Sequence, residues 1–142
     1  MKAKAKGISI LLVDDDEGDC RLVKESLLDS QRASTIHVVN SGDDALAHLR
    51  RGKGTSRPDV VFLDINMPGK DGFATLREIR ADERLTDLPV VMLTTSTEQR
   101  DVDESYRLHA NCFVSKPTRF ADFAAAVRDL EGFWADLVRL PS

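Results

Sequence analysis

Four groups of side chains that could do chemistry stand directly behind short apolar runs. Asp14, Asp15 and Asp16 follow ILLV, Asp64 and Asn66 follow VVFL, Thr94, Thr95 and Ser96 follow VVML, and Lys116 with Pro117 follows CFVS. Carboxylates crowded to ~4 Å repel by roughly 1–4 kcal/mol per pair near a surface, and a hard cation with oxygen ligands reverses that sign. Mg²⁺ fits, because it keeps several waters and needs only one or two carboxylates from the protein. Asp15 and Asp64 are the expected ligands, with Asp14 orienting a metal-bound water. A hydroxyl at Thr94 and an ammonium at Lys116 add donors for phosphoryl oxygens, and a carboxylate can serve as nucleophile. The inventory is that of phosphoryl transfer.

Those groups meet only if the apolar runs are neighbouring strands. Runs of strand length (Ile8 to Val13, Ile36 to Val39, Val60 to Leu63, Val90 to Leu93, Cys112 to Val114) alternate with segments of helical spacing, roughly Asp19 to Asp29, Ser41 to Arg51, Gly72 to Ala81, Glu98 to Leu108 and Arg119 to Leu140. Asp19, Ser41, Asp71 and Thr97 are the expected helix caps. Continuous Val, Ile and Leu runs are buried on both faces, so the pattern predicts an α/β fold with a parallel sheet covered by five helices. Ligands in such sheets sit outside the carboxyl ends of the strands, where the four groups fall.

The last segment is the exception. Phe120, Phe123, Val127, Leu130, Trp134 and Leu137 keep a three-four spacing over about five turns, more than one small sheet should cover. Residues 131–142 are therefore expected to form a helical extension and a subunit contact, with Trp134 in it.

At 142 residues the chain is one domain long, taken as 8–142 behind a flexible basic start at 1–7. No stretch approaches the ~20 apolar residues of a membrane span, and the start lacks the features of a secretory signal. A cytoplasmic protein is expected. A net charge of −4 gives no basic stripe for a phosphate backbone, so no nucleic-acid partner is expected. Cys20 and Cys112 have no metal spacing and read as small packed side chains. His37, His48 and His109 are scattered, with no catalytic pattern. The polar stretch from Arg51 to Pro58 reads as a loop.

The motifs LLVDDD, VVFLDINMPGKDG, VVMLTTS and FVSKP, with 30 residues from Asp64 to Thr94 and 22 from Thr94 to Lys116, resemble the receiver domain of two-component response regulators. The resemblance covers about residues 8 to 130. It implies a flavodoxin-like sheet of order 2-1-3-4-5, an order for which a chemotaxis member of this family is a standing example. It further implies that Asp64 accepts a phosphoryl group from the phosphohistidine of a sensor histidine kinase. Asp15 and Asp64 would hold Mg²⁺ by side chain and Asn66 by its carbonyl, Thr94 and Lys116 would bind phosphoryl oxygens, and Phe113 would be the switch aromatic. Asn66 and Ser96 would flank the water that ends the phosphorylated state. The Lys116–Pro117 bond is cis in that family.

Three residues depart from the family pattern: Asp14 where Glu is frequent, Thr95 where a small Ala is frequent, and Phe113 in place of the tyrosine of some members. TTST, YRLHANCFVSKP and FWADLVRLP narrow the likeness to small stand-alone regulators paired with bacterial phytochromes, which form homodimers. Two other readings compete. A haloacid-dehalogenase-type phosphohydrolase would use Asp14 as nucleophile and Asp16 as acid, but Gly18 stands where that family keeps a hydroxyl or branched residue. A pseudo-receiver, a binding module without metal or phosphate, is disfavoured by the complete residue set.

Overall fold

The computed structural model describes residues 6–51 and 57–141; most of the basic start and most of the polar stretch between Arg51 and Pro58 lie outside the described residues. Five strands, β1 (Ser9–Val13), β2 (Thr35–Val39), β3 (Val60–Leu63), β4 (Val90–Thr94) and β5 (Cys112–Ser115), alternate with α1 (Glu17–Asp29), α2 (Gly42–Leu49), α3 (Gly72–Ala81), α4 (Gln99–Arg107) and α5 (Phe120–Gly132). The strands form one parallel sheet in the order β2-β1-β3-β4-β5. The expected fold class and strand order hold.

The pleat explains why the strands read as unbroken apolar runs. Leu11 and Val13 of β1 face a core built with Leu46, Leu76, Ile79 and Leu88, whereas Ile10 and Leu12 face a second core built with Val23 and Leu27 of α1 and Phe123 and Val127 of α5. Every residue of β3 and β4 is buried, so each side of the sheet needs its own apolar set. Fully burying side chains such as Phe62, Leu76 and Ile79 contributes about 1.5–3 kcal/mol each, which fixes the strands against sliding. The register carries that order outward: Val13 pairs with both Val39 and Leu63, and Thr94 pairs with Ser115.

Two expected caps differ. Asp16, not Asp19, caps α1, its side chain accepting the Asp19 N–H, while Ser41 and Asp71 cap α2 and α3 as expected. Glu98 holds the cap position of α4 without a side-chain bond, and Thr97 lies outside it.

The expected long final helix also differs. The α-helix stops at Gly132, and Phe133–Leu137 form a π-helical turn before an extended Val138. Widening the helix by one residue per turn rotates the next side chains off their old stripe. Trp134 nevertheless continues the line of Phe123, Val127 and Leu130 into the core beside Ile8 and Ile10, with Ala135 next to it; at only 5% exposure it is buried within its own chain, contrary to its expected place in a subunit contact. Of the stripe, Phe120 at its start and Leu137 at its end are left exposed, as is Phe133 beside it. Among the described residues no helix is long and apolar enough to cross a membrane.

Candidate functional site

β1, β3, β4 and β5 deliver their following residues to one rim. Asp14 continues β1, with its N–H donating to the Val39 carbonyl and its own carbonyl accepting from Asn40 Nδ2. Asp64 continues β3 and donates its N–H to Val13, so the two acidic residues are tied through the sheet's own ladder. The Lys116 N–H donates to the Thr94 carbonyl at 2.6 Å, which ties the ends of β4 and β5 in the same way. The loop after Asp64 passes through Gly69 at φ +74° and returns where the Gly72 N–H meets the Ile65 carbonyl. A Cβ on Gly72 would lie 2.2 Å from the Asp64 carbonyl oxygen, so this approach demands glycine.

Carboxylate oxygens of Asp14, Asp15 and Asp64 lie within 4.8 Å of one another, Asp15 exposed and the other two buried. Asp64 Oδ1 is buried and has no hydrogen-bond partner among the described residues, an expensive condition for a charged acceptor. An orphaned carboxylate oxygen facing two further carboxylates fits a hard divalent cation, and the all-oxygen donor set has the right chemistry.

Lys116 Nζ lies 2.6 Å from Asp14 Oδ2, 2.8 Å from Asp19 Oδ2 and 3.7 Å from Asp64 Oδ2. Its side chain is buried. Burial alone would lower the ammonium's pKa, but the bonds to Asp14 and Asp19 override it and hold the group above its ordinary value, so it is charged at all ordinary pH. Burial pushes the Asp14 carboxyl above the usual range, and the Lys116 bond draws it only part of the way back. Cys20 stands beside Asp14, its Sγ 3.5 Å from the Asp14 carbonyl. Burial, then the Asp14 charge, raises its thiol to about 11, which leaves it an inert thiol.

Of the remaining expected residues, Thr94, Ser96 and Asn66 stand at or just past strand ends, whereas Phe113 lies within β5 opposite Met92. Thr94 is fully buried at the end of β4, with its hydroxyl accepting the Ser96 N–H. Phe113 is half-buried against the core on β5, and its N–H donates to the Tyr106 hydroxyl of α4. Asn66 is exposed on the loop after Asp64. The Ser96 hydroxyl donates to Asp101 of α4 at 2.6 Å and is engaged there. The Lys116–Pro117 bond is trans, like every peptide bond among the described residues, in contrast to the cis bond the resemblance implied; trans is the preferred isomer of X–Pro by about 0.5–1 kcal/mol. Asp19 is the site residue that sequence reasoning missed. An aspartate at a helix start reads as a cap, and only the finding that Asp16 takes that role frees Asp19 for Lys116.

The chain is 39% identical over 136 residues to the response regulator Rcp1 of Synechocystis, covering 94% of this chain and 92% of that protein. The crystal structure of the phosphorylated cyanobacterial phytochrome response regulator RcpA superposes with a TM-score of 0.90 at 39% identity, over 96% of this chain and 99% of that one. The Mn²⁺-bound form of Rcp1 superposes with a TM-score of 0.87 at 39% identity, over 95% and 99% of the two chains. The family model for the response regulator receiver domain matches residues 10–128, and the chain belongs to that family.

Proposed function

We propose that Asp64 accepts a phosphoryl group from the phosphohistidine of a sensor histidine kinase in a Mg²⁺-dependent reaction, and that the new charge switches a protein-binding surface. The observation that carries this is the meeting of the Asp14, Asp15 and Asp64 carboxylates, with their orphaned oxygen, beside the Lys116 ammonium. Asp15 and Asp64 would hold the metal by side chain, Asn66 by its carbonyl and Asp14 through water. When bound, the metal neutralises charge on the transferring group. In the transfer an Asp64 carboxylate oxygen forms a bond to phosphorus as the phosphorus–nitrogen bond breaks and the imidazole leaves. Lys116 neutralises one phosphoryl oxygen, and Thr94 donates its hydroxyl to another. Drawing Thr94 toward Asp64 takes its side chain from the core, and Phe113 on the adjacent strand moves inward into the space.

The likeness to RcpA and Rcp1 supports a phytochrome-like kinase as the partner. Exposed Phe133 and Leu137 on the π turn support a homodimer through the C-terminal segment. The charge and the lack of a membrane-spanning helix among the described residues fit a protein acting in the cytoplasm without nucleic acid. The phosphohydrolase reading has less support, because Asp16 Oδ1, on its supposed general acid, accepts the cap hydrogen bond of α1.

Incubation with acetyl phosphate and Mg²⁺ should add one labile phosphoryl group, mapped to Asp64 by mass spectrometry and abolished in Asp64→Asn. An adduct that survives that substitution, or sustained phosphatase turnover lost in Asp14→Asn instead, would overturn the reading.

A further inference from the structure

Lys116 is shared between two carboxylates, and one of them lies outside the metal cluster. Its Nζ is hydrogen-bonded to Asp14 and Asp19 at 2.6 and 2.8 Å, while Asp64 Oδ2 at 3.7 Å is beyond hydrogen-bond reach. An ammonium has three N–H donors, and two of these are committed away from Asp64. Asp19 stands in the first turn of α1, a helix that Asp16 caps, so the Asp19 side chain has no capping duty and is available to the lysine.

We propose that Asp19 is a positioning residue that holds the Lys116 ammonium back from Asp64 in the resting protein, and so tunes the site's affinities for metal and for phosphoryl group in opposite directions. The inference rests on the phosphoacceptor reading above. A phosphoryl oxygen on Asp64 has to draw Lys116 out of its bond with Asp19, and the Asp19 charge repels the same incoming anion. A cation entering among Asp14, Asp15 and Asp64 gains twice from Asp19: from its negative charge, and from an ammonium kept 3.7 Å away from Asp64. Neutralising Asp19 therefore helps the anion and hinders the cation. With Asp19 partly exposed and the pair partly screened, each effect is worth about threefold to tenfold in affinity.

The test is calorimetric titration of the full chain, first with Mg²⁺ alone and then with beryllofluoride at saturating Mg²⁺. Asp19→Asn should bind beryllofluoride about threefold to tenfold more tightly than wild type and Mg²⁺ more weakly by a similar factor. Asp19→Glu keeps the charge and should return both affinities to within about twofold of wild type. A merely structural role would weaken both ligands together and would not distinguish Asn from Glu. An Asp19→Asn chain whose affinities are unchanged, or both weaker, overturns the inference while leaving Asp64 as phosphoacceptor. A wild type that binds no beryllofluoride overturns the phosphoacceptor reading and this inference with it.

Discussion

Asp15→Asn should make the metal-free protein more stable and the Mg²⁺-saturated protein less stable than wild type. Asp15 is exposed, and its carboxylate lies within 4.8 Å of those of Asp14 and Asp64. At that separation, with the high effective dielectric of an exposed group, each like-charge pair costs roughly 1 kcal/mol. Lys116 bonds to Asp14 rather than Asp15 and offsets only part of this. Removing the Asp15 charge relieves two pairs, so a gain of about 1–2 kcal/mol is expected without metal. For a chain of this length that raises Tm by roughly 3–8 °C. Mg²⁺ at a hundredfold excess over its Kd stabilises wild type by about 2.7 kcal/mol through mass action. The variant, lacking a ligand, gains much less, and the order of stabilities reverses. Thermal unfolding in EDTA and along a Mg²⁺ series reads both halves. If Asp15→Asn is no more stable than wild type in EDTA, the three carboxylates are not in electrostatic conflict and the argument for a metal site fails; equal Mg²⁺ gains in both proteins would refute Asp15 as a ligand.

Gly72→Ala places a Cβ 2.2 Å from the Asp64 carbonyl oxygen and 2.7 Å from Ile65 Cα, both backbone atoms that cannot turn aside. Overpacking of this kind costs about 1–3 kcal/mol or more, against about 1 kcal/mol gained in helix propensity, so urea unfolding should show a net loss and titration a weakened Mg²⁺ site. Glu131 is fully buried, neither carboxylate oxygen has a hydrogen-bond partner among the described residues, and Arg32 keeps its Nε 3.9 Å away while its Nη1 and Nη2 bond Asp136 bidentately. Glu131→Leu should therefore stabilise the fold by about 1–3 kcal/mol in urea unfolding, and a loss of stability would show that the Arg32 pairing outweighs the desolvation. Burial, then the neighbouring His37 and Arg51, lowers the His48 pKa below its ordinary 6.5. A lowered histidine favours the neutral form in the fold, so its contribution is complete above the unfolded value and is lost as pH falls below it. Wild type should lose more stability than His48→Gln between about pH 7 and about pH 5, and parallel pH profiles would contradict the shift.

What was legible in the sequence, and what was not, divides along a physical line. The rim residues could be placed because β1, β3 and β4 are buried on both faces: an unbroken apolar run announces such a strand, and the first polar residue after it marks the carboxyl end. Asp64 and Thr94 are each that residue, whereas β5 is only half-buried and Lys116 is placed by the short apolar run CFV before it. Asp19 escaped because two aspartates three residues apart offer the same helix two caps, and the choice between Asp16 and Asp19 is made by the chain's path out of β1, which periodicity does not encode. The end of the final apolar stripe escaped for a related reason. A three-four spacing holds its meaning only while the helix keeps 3.6 residues per turn, and the π turn over Phe133–Leu137 breaks that rule without disturbing the pattern of residue types. The stripe that reads as an outer face in fact faces the core from Phe123 through Val127 and Leu130 to Trp134, and only past the π turn does Leu137 turn outside, near the exposed Phe133. The acid cluster is legible for the opposite reason. Asp14, Asp15 and Asp64 violate the economy of a stable domain, and local conflict of that kind persists where a ligand resolves it.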